Sequence, residues 1–387
     1  MGKIGKDTPL FQLINRESYE WLAAKWDIDK SVRTLTTEEL IGALIEAFVL
    51  RLESTRQIEG TLGIAHSTLS DAMATRCSGF FDELCDEILL DIRKRSENRK
   101  IKRAIKELLA IDSSECDTHG SMFDRPGWAK KRSDGKTAGF KLHVVWNVDQ
   151  EWVEDFLITG NRKHDSPAAL KLKLQSGKTY VYDRAYNDLR FWLNIIQAQS
   201  DFVTRLKDSK SISALRTSIV EGLKSSDHDG VLYDGEYKPS AALGNRYKEE
   251  LKRIKFRHIV FRDPDTKKVF DFVTSDFESE AEEIAAIYKR RWAVELLFRW
   301  LKGHLNIRRL PLKNANAVEV QMAVAIMTQL LLRLKKMLIE FRGTLWQLLQ
   351  AMRVELHRHG LSGSGSRDGC RWSAATISNL TVSKLRN

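Results

Sequence analysis

The 387-residue chain carries 63 Lys and Arg against 52 Asp and Glu, a formal charge of +11, with 30% charged and 42% hydrophobic residues. That composition excludes a disordered or fibrous chain, supports two or three domains with real cores, and points to a polyanionic partner met by a mixed-sign basic surface. Cys77, Cys85, Cys116 and Cys370 have neither zinc-site spacing nor the density of a disulfide scaffold, and the N-terminus has no uninterrupted apolar segment of the export type. A reducing cytoplasm is the expected compartment.

In chain order, Leu35 to Leu109 reads as successive helices, with apolar residues spaced by three and four. Within it, RQIEGTLGIAHSTLSDAM, Arg56 to Met73, places a short amphipathic helix, a turn at Gly63 and a second helix with Ser67 as expected N-cap. This is the layout of a helix-turn-helix, and an ordinary helical hairpin fits the same residues. In the first reading His66, Ser67, Thr68 and Ser70 open the recognition helix and meet DNA.

The texture changes near Leu108. ELLAID, GFKLHVVWNV, WVEDFLITG, TYVYD and DFVTRL are short runs rich in Val, Ile, Phe and Tyr, bounded by Gly, Asp and Asn, with a helical stretch from Leu189 to Gln199 before the last. Three strands of a meander, a strand, a helix and a strand make an α/β domain with a mixed sheet. From Asp208 to Ser275 the pattern loosens around SSDHDG and then forms a hairpin turning at Asp263-Pro264-Asp265, which reads as a β-rich insertion. Helix resumes at Ser279 and runs past Leu305. The apolar run Val320 to Leu332 is shorter than the roughly 20 residues of a membrane span and reads as a buried helix, so no membrane contact is expected. A last helix covers Leu345 to Arg358, and GSGSRDG marks a mobile tail.

Two strand ends present acids in the same way: ELLAID delivers Asp112 and TYVYD delivers Asp183. The carboxyl edge of a sheet is where α/β folds place their sites, although a lone strand-end Asp is more often a turn former, so a third partner is needed. YKRRWAVELLFRWLK, Tyr288 to Lys302, offers Glu295. At about 100° per residue, Tyr288, Arg291, Glu295, Arg299 and Lys302 share a stripe about 80° wide beside the apolar face, with Trp292 on its flank. A solvated face with Glu295 paired to Arg291 and Arg299 would balance its charges better than this one does. A metal-binding carboxylate among phosphate-binding cations and a stacking ring explains both the imbalance and the aromatics.

With Asp112, Asp183 and Glu295 in place, the chain resembles the bacterial insertion-sequence transposases that carry an Asp-Asp-Glu triad and the signature Y-x2-R-x3-E-x6-K. Tyr288, Arg291, Glu295 and Lys302 match every element and gap of it. Asp183 begins Asp-Arg-Ala-Tyr where the family commonly shows Asp-Arg-Gly-Tyr, so Ala185 is a local departure. The resemblance implies a ribonuclease-H-like mixed sheet with helices, a β-rich insertion before the catalytic Glu and an all-α N-terminal DNA-binding domain. The expected division is residues 1–105 for DNA binding, 106–207 and 277–342 for the catalytic core, 208–276 for the insertion and 343–387 for the C-terminal helix and tail.

The resemblance also implies two Mg2+ ions, replaceable by Mn2+, held by Asp112, Asp183 and Glu295, with Tyr288, Arg291 and Lys302 on DNA phosphates. Cut-and-paste members of this group cleave one strand with water, form a hairpin with the freed 3′-hydroxyl, reopen it and join the ends to target DNA. Trp292 would stack on a displaced base. Double-stranded DNA and a second copy of the chain are the expected partners, in the bacterial cytoplasm and on the nucleoid. A non-catalytic DNA-binding derivative, or a metal-dependent nuclease of the same fold, is the alternative.

Among other polar residues, Lys141 and His143 share one strand face, turned either to the site or to solvent. His164 and Asp165 read as a helix cap rather than ligands, and Glu115, Asp117 and Asp188 are reserve acids.

Overall fold

The computed structural model describes residues 9–97, 106–122, 126–132, 135–207, 229–237, 239, 246–307 and 314–361. The tail with GSGSRDG and most of the SSDHDG cluster lie outside them. The chain divides into two compact units, one of residues 1–101, 116–140 and 298–387, the other of residues 102–115 and 141–297.

The first unit is built on helices α1 (Arg16–Lys25), α2 (Thr37–Leu50), α3 (Thr55–Leu62), α4 (His66–Thr75) and α5 (Ser78–Glu97). Local chemistry fixes their ends: Thr36 and Glu39 form a capping box at α2, and Asn15 and Ser54 cap α1 and α3. Gly63, at φ 72°, ends α3 in the left-handed conformation that glycine adopts without a Cβ penalty. The second helix of this hairpin opens earlier than the sequence suggests. Its N-cap is Ala65, with no side-chain cap, and His66 Nδ1 meets Glu59 Oε2 at 2.8 Å across the turn, so Ser67 lies inside the first turn and not at the cap.

In the second unit, β1 (Glu107–Thr118), β2 (Ala129–Arg132), β3 (Gly135–Asn147), β4 (Trp152–Gly160), α6 (Asp165–Ala169), β5 (Lys178–Tyr182), α7 (Leu189–Gln197) and β6 (Asp201–Arg205) follow in order, the end of β1, all of β2 and the start of β3 belonging to the first unit. After them come β7 (Gly230–Tyr237), α8 (Lys248–Leu251), β8 (Phe256–Arg262), β9 (Val269–Thr274), α9 (Ala281–Arg290) and α10 (Trp292–His304), whose second half crosses into the first unit. The strands form one sheet in the order β2-β3-β1-β5-β6-β9-β8-β7, with β4 beside β3. β1, β5 and β6 are parallel neighbours, and β6 meets β9 antiparallel. The mixed sheet expected from the strand runs is present. The strands read as an insertion continue this sheet, because the edge of β6 pairs with β9, Val203 opposite Thr274.

Strand alternation sorts the sheet into two faces. Leu109, Ile111, Tyr180, Tyr182, Phe202 and Val273 pack with α7 through Phe191, Trp192 and Ile195 in one aromatic-rich core. The opposite face carries Ala110, Val181, Val203 and Phe272 under α9.

Two helices differ from expectation. The segment from Ser279 past Leu305 is not one helix: it breaks at Arg291, whose N–H reaches Tyr288 O and whose carbonyl accepts from Val294 N, a turn tightened to i,i+3 bonding. The apolar run extends into α11 (Ala315–Leu338), 24 residues long with a mean hydropathy of 1.4 over its most apolar stretch. By length and composition α11 could cross a membrane, yet 89% of that stretch is buried within the fold, where it packs against α2, α4 and α5. The last helix, α12 (Leu345–Leu361), also packs on it.

Candidate active site

Register brings the first two acids together. In the parallel pair β1–β5, Ile111 lies opposite Tyr182, so Asp112 and Asp183 are the next positions, facing the same side of strands spaced about 4.8 Å apart. Asp183 leaves the sheet directly after β5, its Oδ1 accepting from Ala185 N at 3.0 Å. Asp112 is not at the end of its strand: β1 continues to Thr118, and it is the pairing with β5 that ends beside it.

Arg291, at the break between α9 and α10, joins the third acid to them. Its Nη1 donates to Asp112 Oδ2 at 3.0 Å and its Nη2 to Glu295 Oε1 at 2.6 Å, while its Nε is buried with no partner among the described residues. Burial pushes the Asp112 carboxyl up to about 6. The Ser113 N–H and the Arg291 guanidinium oppose that rise, and the Glu295 and Asp183 charges add to it. Burial alone would lower Arg291, but Glu295, Tyr288 and Asp112 outweigh it and hold the guanidinium above its ordinary value. Tyr288 packs on Phe272 with ring centroids 5.0 Å apart, and burial raises its phenol.

Tyr288, Arg291 and the half-exposed Trp292 line a cavity of about 490 Å3 shared with Phe261, Phe270 and Phe272 of the β8–β9 hairpin. The structure thus gathers Asp112, Asp183, Glu295, Tyr288, Arg291 and Trp292 in one unit. Arg299, exposed, and Lys302, half-buried, follow on α10 and belong with the first unit, as do Ser67, Thr68 and Ser70 on α4, where Ser67 is exposed. Among the described residues no three His, Cys, Asp or Glu side chains form a ready-made metal cluster, and Arg291 bridges two of the three acids.

For His143 neither reading of the strand face holds. His143 is fully buried, with Nδ1 2.9 Å from Tyr186 Oη and Nε2 2.9 Å from Thr159 Oγ1, and burial lowers it to about 4. Lys141 Nζ donates to Asp165 Oδ1 at 2.9 Å, and the same oxygen accepts from Ser113 Oγ at 3.2 Å. His164 takes the N-cap position of α6 but forms no side-chain cap, and Asp165 acts in this network instead. Asp188 caps α7 and pairs with Arg190 at 2.6 Å; Glu115 and Asp117 are exposed on β1. Sequence reasoning missed the Asp165 and Tyr186 tethers, because only the strand register reveals which side chains they reach.

A family model described as the transposase DDE domain matches residues 103–331, more than half of the chain. The chain belongs to the DDE transposase family. It is 49% identical over 283 residues to a chain named as the transposase of insertion sequence element IS4SA of Synechocystis, covering 69% of this chain and 71% of that one. It is 32% identical over 288 residues to transposase y4zB of Sinorhizobium fredii, covering 73% and 74%. The fold of this family member is similar to that of a piggyBac transposase, solved as a synaptic complex with hairpin DNA, at a TM-score of 0.50 and 12% identity over 99% of this chain and 87% of that one. Together with the mixed sheet, that likeness is consistent with a ribonuclease-H-like transposase fold.

Proposed function

We propose that the chain binds the terminal inverted repeats of an insertion sequence and catalyses its excision and integration by metal-dependent strand cleavage and strand transfer, through a hairpin intermediate. The observation that carries this reading is the convergence of Asp112, Asp183 and Glu295: two acids adjacent in register, and the third tied to the first through Arg291.

The donor set fits divalent cations, since three carboxylates offer the hard oxygen ligands that Mg2+ takes and Mn2+ accepts. Asp112, Asp183 and Glu295 would hold two such ions, which when bound supply the charge that favours attack on a phosphodiester and stabilises the leaving oxygen. The protein groups around them have separate tasks. Arg291 holds Asp112 and Glu295 in place, and a DNA phosphate offers its planar fork an equivalent anionic partner. Tyr288 and Lys302 each bind DNA phosphates, and Trp292, half-exposed at the cavity, stacks on a base displaced during hairpin formation.

End recognition falls to the helices of residues 1–105, with the exposed start of α4 meeting DNA through Ser67, Thr68 and Ser70 and with Arg299 and Lys141 adding positive charge. Two transposon ends require two active sites, so the working form is a homodimer on double-stranded DNA, in the bacterial cytoplasm and on the nucleoid. Incubating the protein with duplex DNA bearing the flanking inverted repeats and Mg2+ should yield nicked, hairpin and strand-transfer products. Binding without nicking would point to a non-catalytic DNA-binding protein, and nicking without hairpins or strand transfer to a nuclease.

A further inference from the structure

We infer that Arg205 is a phosphate-binding residue of this site, contacting the DNA strand that passes Asp183; the inference rests on the reading of the site as one that processes DNA. In the parallel pair β5–β6, Tyr182 lies opposite Thr204, so Asp183 and Arg205 are the next positions and face the same side. With Asp112 opposite Asp183, the row across three parallel strands reads Asp112, Asp183, Arg205, two anions and then a cation at the edge where the site lies.

The position of Arg205 is fixed by the loop that carries Asp183. Asn187 Nδ2 donates to Arg205 O at 2.7 Å, and Asn187 Oδ1 accepts from Thr204 Oγ1 at 2.9 Å. The guanidinium lies 4.8 Å from the centroid of Phe270, a ring that lines the cavity with Tyr288, Arg291 and Trp292. Its charge is felt at the Tyr288 phenol.

What separates Arg205 from its neighbour is its lack of a counter-ion. Arg291 spends its charge on Asp112 and Glu295, whereas among the described residues the Arg205 guanidinium makes no hydrogen bond or ion pair and only covers an aromatic face. A half-buried arginine with its fork unspent, beside two acids that repel a polyanion, suits the bidentate geometry of a phosphate. It would draw the DNA backbone to the Asp183 side of the row and offset the repulsion that the carboxylates impose.

The test is equilibrium binding of the full-length protein to a duplex bearing the inverted repeats that flank its reading frame, measured across a range of salt. Arg205→Met keeps the aliphatic cover of Phe270 and removes the charge. It should bind about tenfold more weakly, with a log–log salt slope smaller by about 0.9, the signature of one lost phosphate contact. Arg205→Lys should keep the slope while binding less tightly than wild type, because the fork is gone. Phenylglyoxal labelling of the unmutated protein, read by mass spectrometry, should modify Arg205 in the free chain and be blocked by the duplex. A Met variant with wild-type affinity and slope, or labelling undiminished by DNA, overturns the role of Arg205 alone when the wild type binds the duplex. Failure of the wild type to bind it overturns both this role and the functional reading.

Discussion

At Arg291 one side chain settles why a basic stripe needs a single acid. Its two Nη groups reach Asp112 and Glu295, so the i,i+4 pair that looks like ordinary helix stabilisation is half of a bridge to a strand 179 residues away in sequence. The meeting of these acids was legible in part: Asp183 follows its strand directly and Glu295 sits in a spaced helical signature, whereas Asp112 lies inside β1, where only the pairing with β5 ends. Arg205 was legible only in hindsight: TYVYD and DFVTR are runs of equal length ending in Asp and Arg, and their parallel register aligns those ends. His143 was misread, because strand alternation predicts a face but not what covers it.

That buried imidazole has a measurable consequence. Its pKa falls to about 4 in the fold from 6.5, so between those values the unfolded chain binds the extra proton and stability rises with pH. The contribution is complete above about pH 6.5 and is lost toward pH 4, by up to about 3 kcal/mol. Asp112, raised to about 6, acts with the opposite sign, since the folded chain binds its proton more readily and stability falls as pH rises through that range. Comparing wild type with His143→Gln, which retains partners for Tyr186 and Thr159, isolates the histidine. Urea unfolding should show a shallower rise of stability from pH 4 to 6.5 in the variant, and parallel curves would refute the buried neutral imidazole.

Among the elements, the strand runs near Leu108 to Leu206 were readable because β-branched and aromatic clusters bounded by Gly and Asp leave few alternatives. The break at Arg291 was not, because both flanking segments are strong helix formers and the side chain at the turn pairs with Asp112, a partner remote in sequence. The N-terminal helices were also readable, but not their dependence on α11, which lies more than 200 residues later and buries Val320, Met322, Ala323, Ile326 and Met327 against them. Cys85 Sγ lies 3.4 Å from Ala323 O, Ser78 Oγ donates to Glu319 at 2.8 Å, and Asn316 Nδ2 ties the end of α4 through Met73 O and Arg76 O. A fragment of residues 1–105 would therefore expose the apolar faces of α2, α4 and α5. Thermal melts should show no cooperative transition for that fragment and a return of cooperativity when residues 314–361 are fused to it; a fragment melting as sharply as the full chain would contradict this packing.

Across the whole molecule, the charge of +11 anticipated a polyanionic partner but not where it would sit. The sheet gives the more specific indication: where the parallel pairing of β1, β5 and β6 ends, the next positions present Asp112, Asp183 and Arg205 in one row. The segment from 208 to 276 read as an insertion because its pattern loosens, yet β7, β8 and β9 extend the same sheet, since pairing to β6 is a long-range event that no local pattern records.

The most direct test of the three acids as one cleaving centre compares wild type with Asp112→Asn, Asp183→Asn and Glu295→Gln on the same inverted-repeat duplex, scoring binding and Mg2+-dependent strand cleavage together. Each variant should bind the duplex close to wild type and cleave it at less than about a thousandth of the wild-type rate, in keeping with loss of a group that acts as part of a unit. Cleavage at the wild-type rate by any one of the three would remove that residue from the centre and break the assignment.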